Sequence, residues 1–390
     1  LRLVGSEMCI RASVQKAVID FEYPEKCEIR SYKPTTKGNY VQVRRVMAAL
    51  EEAEKPLICI GGGVFAAHAE NEIRELADLM QIPVITTMMG ISVFPDDDQL
   101  FCGMIGTHGV KMANAAVNEC DVLFLVGARV GDRAVKTPLA LEKTTKIIHI
   151  DIDPAEIGKN IGADLPLVGD AKLVLQQMTE LAKPMKHDEW IAHIKTLGGE
   201  RKYVEPAKGT VNPRVFIDRL AKKMPANVTV VADVGQNQIW TCTEYKFRKE
   251  GRLLTSGGMG TMGYSVPAAI GAKMADDSRA TVAICGDGAF QMSFMELATA
   301  VQFGVDIKVV VMTNNRLGMV RELQTNGYHD RQTAVFLDGS PDFIKLAEAY
   351  GIPAMRVYDD DTMEKGIEML AEHKGICLVE VVVDKDMPTL

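Results

Sequence analysis

Two short motifs, separated by one predicted helix and one predicted strand, constrain the fold of this chain most. A Gly-Asp-Gly motif centred on Asp287 follows an apolar run typical of a strand, and an Asn-Asn pair that begins at Asn314 follows a second such run. Because parallel strands end at the same edge of a sheet, we expect these two side chains to be neighbours in space. The predicted βαβ unit consists of a strand at 280–284, a helix at 291–303 and a strand at 307–312.

The residue types at this edge predict a metal and a phosphate ligand. A carboxylate, an amide oxygen and a free loop carbonyl would face one point, and oxygen ligands of this kind suit Mg²⁺ when phosphates complete the coordination. The glycines allow backbone N–H groups to approach a diphosphate closely. The sequence therefore predicts a magnesium and diphosphate site.

Length and composition favour a soluble protein of two or three domains. The chain has 390 residues, of which 47% are hydrophobic and 25% charged. Its net charge of −8 argues against nucleic acid or an anionic membrane as the main partner. Because no apolar run is long enough to span a membrane and the first residues lack the apolar region of a signal peptide, a cytoplasmic location is expected.

The eight cysteines show no C-x-x-C spacing. They are interpreted as small buried hydrophobic residues in a reducing compartment, and neither disulfides nor zinc sites are expected. Their positions are 9, 27, 59, 102, 120, 242, 285 and 377.

Alternating strand and helix patterns predict an α/β protein with two doubly wound parallel-sheet domains, each with three α/β/α layers. The predicted organisation is a remnant of an N-terminal domain and a linker at 1–36, a middle domain at 37–182, a linker at 183–212 with a short helix around Trp190, and a last domain at 213–390. The remnant contains one apolar run at 16–21, which reads as a strand without partners.

Individual elements are predicted from apolar spacing, caps and glycines. In the middle domain they are helices at 40–54, 66–80 and 111–119 and strands at 56–60, 83–87, 121–126 and 146–150. In the last domain they are a helix that begins at Pro213 with Asn212 as its cap, a helix from Tyr264, helices at 341–350 and 361–372, and strands at 228–232, 252–255, 354–358 and 376–383, besides the βαβ unit above.

A nicotinamide dinucleotide site is one alternative for the middle domain. Gly61, Gly63 and Ala66 satisfy a G-x-G-x-x-A pattern directly after a predicted strand. The next strand ends in Thr86 and Thr87, however, without the acidic residue that holds the ribose in such sites. The fingerprint is therefore incomplete.

These motifs resemble those of thiamine diphosphate (ThDP) enzymes, and within them those of the acetolactate (acetohydroxyacid) synthase family. The resemblance covers nearly all of residues 37–385, which is two of the three domains of that family. It is carried by the Gly-Asp-Gly and Asn-Asn motifs and by the segments Gly61–Gly63, Thr86–Gly90, Gly103–Gly109, Gly127–Arg133 and His149–Pro154.

The resemblance implies a ThDP and Mg²⁺ site in the last domain. Mg²⁺ would be held by the side chains of Asp287 and Asn314 and by the main-chain carbonyl of Arg316, and Met262 would prop the bent cofactor. The other implied ThDP contacts are Val234, Gly235, Gln236, Asn237, Gly260, Gly288, Ala289, Met292, Gly318 and Met319.

The resemblance also implies an FAD, without a redox role in the overall reaction, along the loops of the middle domain. One residue departs from the family pattern, because Gly131 stands where the family usually has an acidic residue. Alternatively, this domain is only a spacer and a dimer-building element. The implied FAD contacts are Gly61, Gly62, Thr87, Met88, Met89, Gly106, His108, Gly127, Arg129, Arg133 and Asp151.

The implied function is ThDP-dependent decarboxylation of pyruvate and condensation with a second 2-keto acid, as in branched-chain amino acid biosynthesis. The implied partners are 2-keto acids, further copies of the chain in a homodimer or tetramer, and a small regulatory subunit. Two alternatives stay open. One is another ThDP enzyme, a carboligase or a pyruvate oxidase, and the other is a non-catalytic module that binds cofactor or supports assembly.

Two further expectations follow from the resemblance. The N-terminal domain of the family supplies the glutamate that activates the aminopyrimidine. Residues 13–30 resemble only the final strand of that domain, and no glutamate of this chain can be assigned that role. The chain alone is therefore expected to be inactive. Leu323 stands where the family usually has tryptophan, which predicts a weaker preference for 2-ketobutyrate over pyruvate.

Overall fold

The computed structural model describes residues 12–23, 25, 33–199 and 203–390. The chain divides into two units, Leu1–Pro34 and Thr35–Leu390. The described part of the first unit contains helix α1 (Ala12–Lys16), and residues 17–23 have no regular secondary structure. The strand predicted at 16–21 is therefore wrong. An apolar run becomes a strand only when a neighbour pairs with its backbone, and no described residue pairs with this one. Residues 1–11, 24 and 26–32 of the predicted remnant lie outside the described residues.

A six-stranded, entirely parallel sheet forms the first half of the second unit. Its strand order is β3-β2-β1-β4-β5-β6, in which the direction of winding reverses between β1 and β4. The strands are β1 (Pro56–Ile60), β2 (Val84–Thr86), β3 (Phe101–Met104), β4 (Val122–Val126), β5 (Lys146–Asp151) and β6 (Leu165–Val168). The helices of this half are α2 (Tyr40–Glu51), α3 (Gly63–Ala66), α4 (Glu70–Met80), α5 (Lys111–Glu119), α6 (Pro138–Leu141), α7 (Ala171–Thr179) and α8 (Asp188–Thr196).

Helices cover both faces of this sheet, because the side chains of each strand alternate between two cores. In β1, Ile58 and Ile60 pack in one core with α2, α4 and α7, whereas Leu57 and Cys59 pack in the other with α5 and α8. Helix α8 falls inside the predicted linker. It nevertheless packs on the sheet, since Trp190 is buried and its indole N–H donates to the carbonyl of Pro56 at 3.0 Å.

A second six-stranded parallel sheet follows, with the order β11-β12-β10-β9-β7-β8. Its strands are β7 (Thr229–Ala232), β8 (Arg252–Thr255), β9 (Thr281–Gly286), β10 (Lys308–Thr313), β11 (Ala354–Val357) and β12 (Cys377–Val382). Its helices are α9 (Pro213–Lys223), α10 (Gln236–Glu244), α11 (Ser265–Ala275), α12 (Asp287–Phe290), α13 (Leu297–Gln302), α14 (Gly318–Gly327), α15 (Phe343–Ala349) and α16 (Asp360–Glu372). In β10, Val310 packs in the core with α9 and α16, and Val311 packs in the core with α11 and α15.

The predicted fold class is confirmed, with corrections to single elements. The helix predicted at 66–80 is split into α3 and α4, because His68 between them has a left-handed φ of 51° that ends the first turn. The helix predicted at 291–303 begins earlier, at Asp287, and continues through a 3₁₀ turn (Phe294–Glu296) into α13. Helices α1, α6, α7, α10 and α14 and strands β3 and β6 were not predicted.

Polar contacts join the two halves of this unit. The N–H of Leu253 in β8 donates to the hydroxyl of Ser92 at 2.9 Å, and Arg252 pairs with Glu70 of α4 at 2.9 Å. The edge strand of the second sheet is thereby attached to the first half.

The prediction of buried, free thiols is confirmed for the six described cysteines, and Cys9 and Cys27 lie outside the described residues. Within the described ranges, no helix has the length and apolar character needed to cross a membrane.

Candidate cofactor site

A cleft with a volume of about 130 Å³ opens at the carboxyl ends of β7, β9 and β10. In an open parallel sheet, ligands bind at this edge, where the order of the strands reverses. Most of the residues predicted for the site lie together in its lining: Val234, Gly235, Gln236, Asn237, Met262, Asp287, Gly288, Ala289, Asn314, Arg316, Gly318 and Met319. Trp240 of α10 also lines the cleft and was missed, because it belongs to a helix that was not predicted.

Asp287 and Asn314 are neighbours, as predicted. One carboxylate oxygen of Asp287 accepts hydrogen bonds from the N–H groups of Asn314 at 3.2 Å and Asn315 at 2.6 Å, and the other accepts from Gly288 at 2.8 Å. Asn315 has a φ of 53°, a left-handed conformation that asparagine tolerates. This turn allows two successive N–H groups to point at one anionic oxygen.

The electrostatics of Asp287 favour a bound cation. Its side chain is 1% exposed, and burial raises its pKa to about 6, although hydrogen bonds from backbone N–H groups oppose the rise. Burial and backbone hydrogen bonds dominate that pKa, and no charged side chain of the described residues forms an ion pair with the carboxylate. Because a buried anion without a counter-charge is unfavourable, a divalent cation would compensate it. No group of three or more His, Cys, Asp or Glu side chains that could hold a metal occurs among the described residues, so a metal here needs amide and carbonyl oxygens.

The loop that follows Asn314 is attached to a second loop. The Arg316 guanidinium donates to Asp338 at 2.8 Å and lies 4.7 Å over the ring of Phe336. The backbones of Arg316 and Phe336 also form an isolated antiparallel bridge. These contacts hold the main chain of Arg316, whose carbonyl is the third predicted metal ligand.

Two glycines of the cleft lie close to neighbouring side chains. A Cβ at Gly318 would collide with the side-chain oxygen of Gln236. A Cβ at Gly288 would stand 2.9 Å from a methyl of Leu317 and 3.5 Å from the terminal methyl of Met262. The side chain of Met262 therefore reaches the Gly-Asp-Gly turn, which is the location expected for a residue that supports a ligand bound in the cleft.

The sequence interpretation missed Asp233, a fully buried carboxylate directly after β7. It accepts hydrogen bonds from the N–H groups of Val234 at 2.8 Å, Gly263 at 3.0 Å and Ser265 at 2.8 Å. It therefore ties the end of β7 to the loop that carries Met262. Its position after a buried strand repeats that of Asp287 and was a usable signal.

Two residues predicted to contact ThDP do not line the cleft. Gly260 lies in the exposed loop at 257–261 and has a φ of 66°. Met292 is 57% exposed, and its Cβ would stand 2.9 Å from a Cβ at Gly263. It therefore packs beside the Met262 loop and not inside the cleft.

The eleven residues predicted for FAD lie at the carboxyl ends of β1 to β5. Gly61 and Gly62 follow β1, Thr87, Met88 and Met89 follow β2, Gly106 and His108 follow β3, Gly127, Arg129 and Arg133 follow β4, and Asp151 ends β5. A Cβ at Gly61 would collide with the backbone of Gly127, which has a φ of 57°. The glycines thus permit the close contact of two loops where the winding of this sheet reverses.

The two sheet edges are adjacent. A Cβ at Gly257, in the loop after β8, would collide with the sulfur of Met89 in the loop after β2. Burial lowers the pKa of His108, and the carboxylate of Glu322 in α14 opposes this shift. Ligands bound at the two edges would therefore be close to each other.

Comparison with known proteins matches one family model to each half of the second unit. Residues 43–178 match the family model of the thiamine pyrophosphate enzyme central domain, and residues 233–381 match that of the C-terminal TPP-binding domain. The acetolactate synthase of Arthrospira platensis is 38% identical over 394 residues, which cover 97% of this chain and 67% of that protein. The acetolactate synthase isozyme 3 large subunit of Escherichia coli is 34% identical over 378 residues, covering 94% and 66%.

The probable acetolactate synthase large subunit of Methanocaldococcus jannaschii is 39% identical over 385 residues, which cover 95% of this chain. The matched part is 65% of that relative. The chain thus spans about 65% of the length of the curated relatives it matches.

Proposed function

Because the chain belongs to the acetolactate synthase family, we propose that it binds ThDP and Mg²⁺ in the cleft of the second sheet and contributes to the decarboxylation of pyruvate and its condensation with a second 2-keto acid. This reaction belongs to branched-chain amino acid biosynthesis. The observation that carries the proposal is that Asp287, Asn314 and the loops after β7 and β9 converge on one cleft.

The residues of the cleft fit a diphosphate bound through a metal. The side chains of Asp287 and Asn314 and the carbonyl of Arg316 would hold Mg²⁺. Helix α10 begins at the cleft, so its first N–H groups and its dipole would favour the phosphates. ThDP, when bound, supplies an electron sink for the decarboxylation of a 2-keto acid. The protein itself would orient the groups and exclude water, and Met262 would support the cofactor.

We propose that the edge of the first sheet holds FAD. Arg129 and Arg133 are exposed in the loop after β4, and neither forms an ion pair with a described residue. Two unpaired guanidinium groups beside a glycine-rich crevice suit an anionic diphosphate. Gly131 leaves open space where the family usually has an acid, so Asp132 is the only acidic residue of the segment 129–133.

We expect the chain to bind FAD with a modest preference over NAD, because the acid that would hold an NAD ribose is replaced by Thr86 and Thr87. Fluorescence titration of the folded chain with each dinucleotide measures this preference. A variant with Arg129→Ala should bind FAD about ten-fold more weakly, since a charged hydrogen bond is lost. Arg331→Ala, which changes an exposed arginine of the second half, serves as the control. If folded protein binds no FAD, the first half is a spacer.

The product formed from pyruvate tests the proposal against other ThDP chemistry. Acetolactate, measured in a colorimetric assay on the chain supplemented with the N-terminal third of a relative, would support the synthase. Acetyl phosphate or hydrogen peroxide would identify an enzyme of the pyruvate oxidase type. A supplemented chain that binds ThDP without any turnover would be a non-catalytic module.

We expect acetolactate as the main product, even when 2-ketobutyrate is present. Leu323 of α14 is 60% exposed and is smaller than tryptophan. It would therefore make fewer apolar contacts with the extra methylene of 2-ketobutyrate. Loss of such contacts changes the discrimination between two substrates that differ by one methylene by about 1–3 kcal/mol. A competition assay on the supplemented protein compares it with its Leu323→Trp variant, which should gain preference for 2-ketobutyrate. A strong 2-ketobutyrate preference with Leu323 in place would contradict the prediction.

We propose a homodimer or tetramer that also binds a small regulatory subunit. Several relatives carry the name large subunit, and large apolar side chains are exposed on the second half, with Met295 at 52% and Phe303 at 62%. We place the reaction in the cytoplasm, which the buried free thiols support. Light scattering with and without a small subunit of a relative measures the assembly.

A further inference from the structure

A chain of polar contacts leads from helix α14 to the proposed metal site. Its first member is Glu322, whose carboxylate accepts a hydrogen bond from the amide nitrogen of Gln236 at 3.2 Å. The same carboxylate accepts the backbone N–H of Thr389 at 3.2 Å and the Thr389 hydroxyl. Glu322 is thus held by a residue far from it in sequence and does not project into solvent.

The side-chain amide of Gln236 has only one orientation that satisfies its neighbours. Its nitrogen faces three acceptors, which are Glu322, the carbonyl of Met387 at 3.0 Å and the hydroxyl of Thr389 at 3.1 Å. Its oxygen faces Asn314 and accepts from the side-chain nitrogen of that residue at 3.2 Å. Because Gln236 is 4% exposed, water is largely unavailable to stabilise a reversed amide.

The orientation of Gln236 determines that of Asn314. Since the Asn314 nitrogen donates to Gln236, its oxygen faces the other way, where it accepts from the N–H of Arg316 at 3.1 Å. An asparagine amide can bind a cation only through its oxygen. A reversed amide would present its N–H groups to the metal.

We infer that Glu322 is a positioning residue, which acts through Gln236 to keep the Asn314 oxygen directed at the metal position. This inference rests on the proposed ThDP and Mg²⁺ site. Gly318 supports it independently, because a Cβ there would collide with the Gln236 oxygen, so the backbone of α14 leaves room for this amide. Outer residues of this kind typically change metal affinity 10–100-fold when they are replaced.

The test uses Mn²⁺ as a paramagnetic substitute for Mg²⁺, titrated by electron paramagnetic resonance into the 390-residue chain with excess ThDP. Glu322→Leu should weaken Mn²⁺ binding about ten-fold. Glu322→Gln, which keeps one acceptor oxygen for Gln236, should stay within about three-fold. Glu364→Leu, which changes a largely exposed glutamate of α16, is the matched control and should bind as the unaltered chain does.

The same substitution, made in a protein that also carries Asn314→Asp, distinguishes a positioning role of Glu322 from a general loss of structure. In Asn314→Asp protein both side-chain oxygens can bind metal, so no wrong orientation exists and Glu322→Leu should change Mn²⁺ affinity less than about three-fold. A purely structural role would weaken binding equally in both backgrounds and would overturn the inference. If Glu322→Leu fails to fold by thermal melting, Gly318→Ala takes its place, because it displaces the Gln236 amide and should cause the same background-dependent loss.

The two proposals fail in different ways. Equal Mn²⁺ affinity of the unaltered chain and of Glu322→Leu would overturn the positioning role and leave the cofactor site standing. No ThDP-dependent Mn²⁺ binding by the unaltered, folded chain would overturn the proposed site, and the role of Glu322 with it.

Discussion

Replacing Asp287 with alanine is expected to abolish the Mg²⁺ dependence of ThDP binding and to weaken that binding at least about 100-fold. The carboxylate is the only charged oxygen among the proposed metal ligands, and it is 1% exposed. Removing one partner of a buried charge pair typically costs more than about 2 kcal/mol, and 100-fold in affinity corresponds to about 2.7 kcal/mol.

Calorimetry of ThDP binding with and without Mg²⁺ measures this effect. Alanine also removes the acceptor for the N–H groups of Asn314 and Asn315, so Asp287→Asn, which keeps the shape and one oxygen acceptor, is the stricter variant. It should lose most of the metal dependence as well. Asp360→Asn changes an exposed carboxylate and serves as the control. Unchanged Mg²⁺-dependent affinity in both Asp287 variants would rule out the proposed metal site.

The raised pKa of Asp287 gives the same experiment a pH signature. In the metal-free chain burial raises its pKa to about 6, so at a higher pH the carboxylate is ionised and can bind the cation. As the pH falls through about 6, protons compete with Mg²⁺ and the metal-dependent part of ThDP binding should decline. The Asp287→Ala variant should show no such decline.

The fold was predictable because both sheets are parallel and covered on both faces. Strands in that environment read as short, continuous apolar runs, and β4 with the sequence Val-Leu-Phe-Leu-Val is an example with all five residues buried. Helix α10 escaped prediction for the opposite reason. All nine of its residues are buried although five are Gln, Asn or Thr and one is Glu, so it shows no amphipathic period.

The candidate site was predictable only where topology brings residues together. Asp287 and Asn314 follow neighbouring parallel strands, so their proximity follows from the sheet. Glu322 and Gln236 are 86 positions apart and meet through side-chain hydrogen bonds. No local pattern encodes that contact, because it depends on how α10 and α14 pack.

The 390 residues on their own are expected to form no measurable acetolactate from pyruvate with Mg²⁺, ThDP and FAD. Asp287 is the only acidic residue in the described lining of the cleft, and it is assigned to the metal. The resemblance implies that the glutamate that activates the aminopyrimidine belongs to an N-terminal domain, and this chain matches 65% of the length of its Methanocaldococcus relative. Loss of a general acid or base typically costs about 10²–10⁴-fold in rate.

Addition of the N-terminal third of a relative should allow the chain to form acetolactate. The N-terminal third of a relative, fused to the chain or added separately, would provide the glutamate and cover the half of the cofactor that otherwise stays in water. The colorimetric acetolactate assay should then detect turnover, and the same supplement combined with Asp287→Ala should remain inactive. Turnover by the unsupplemented chain at a rate typical of the family would mean that another group performs the proton transfer. Because Asp287 is the only acidic residue in the described lining, that result would also reopen its assignment as a metal ligand.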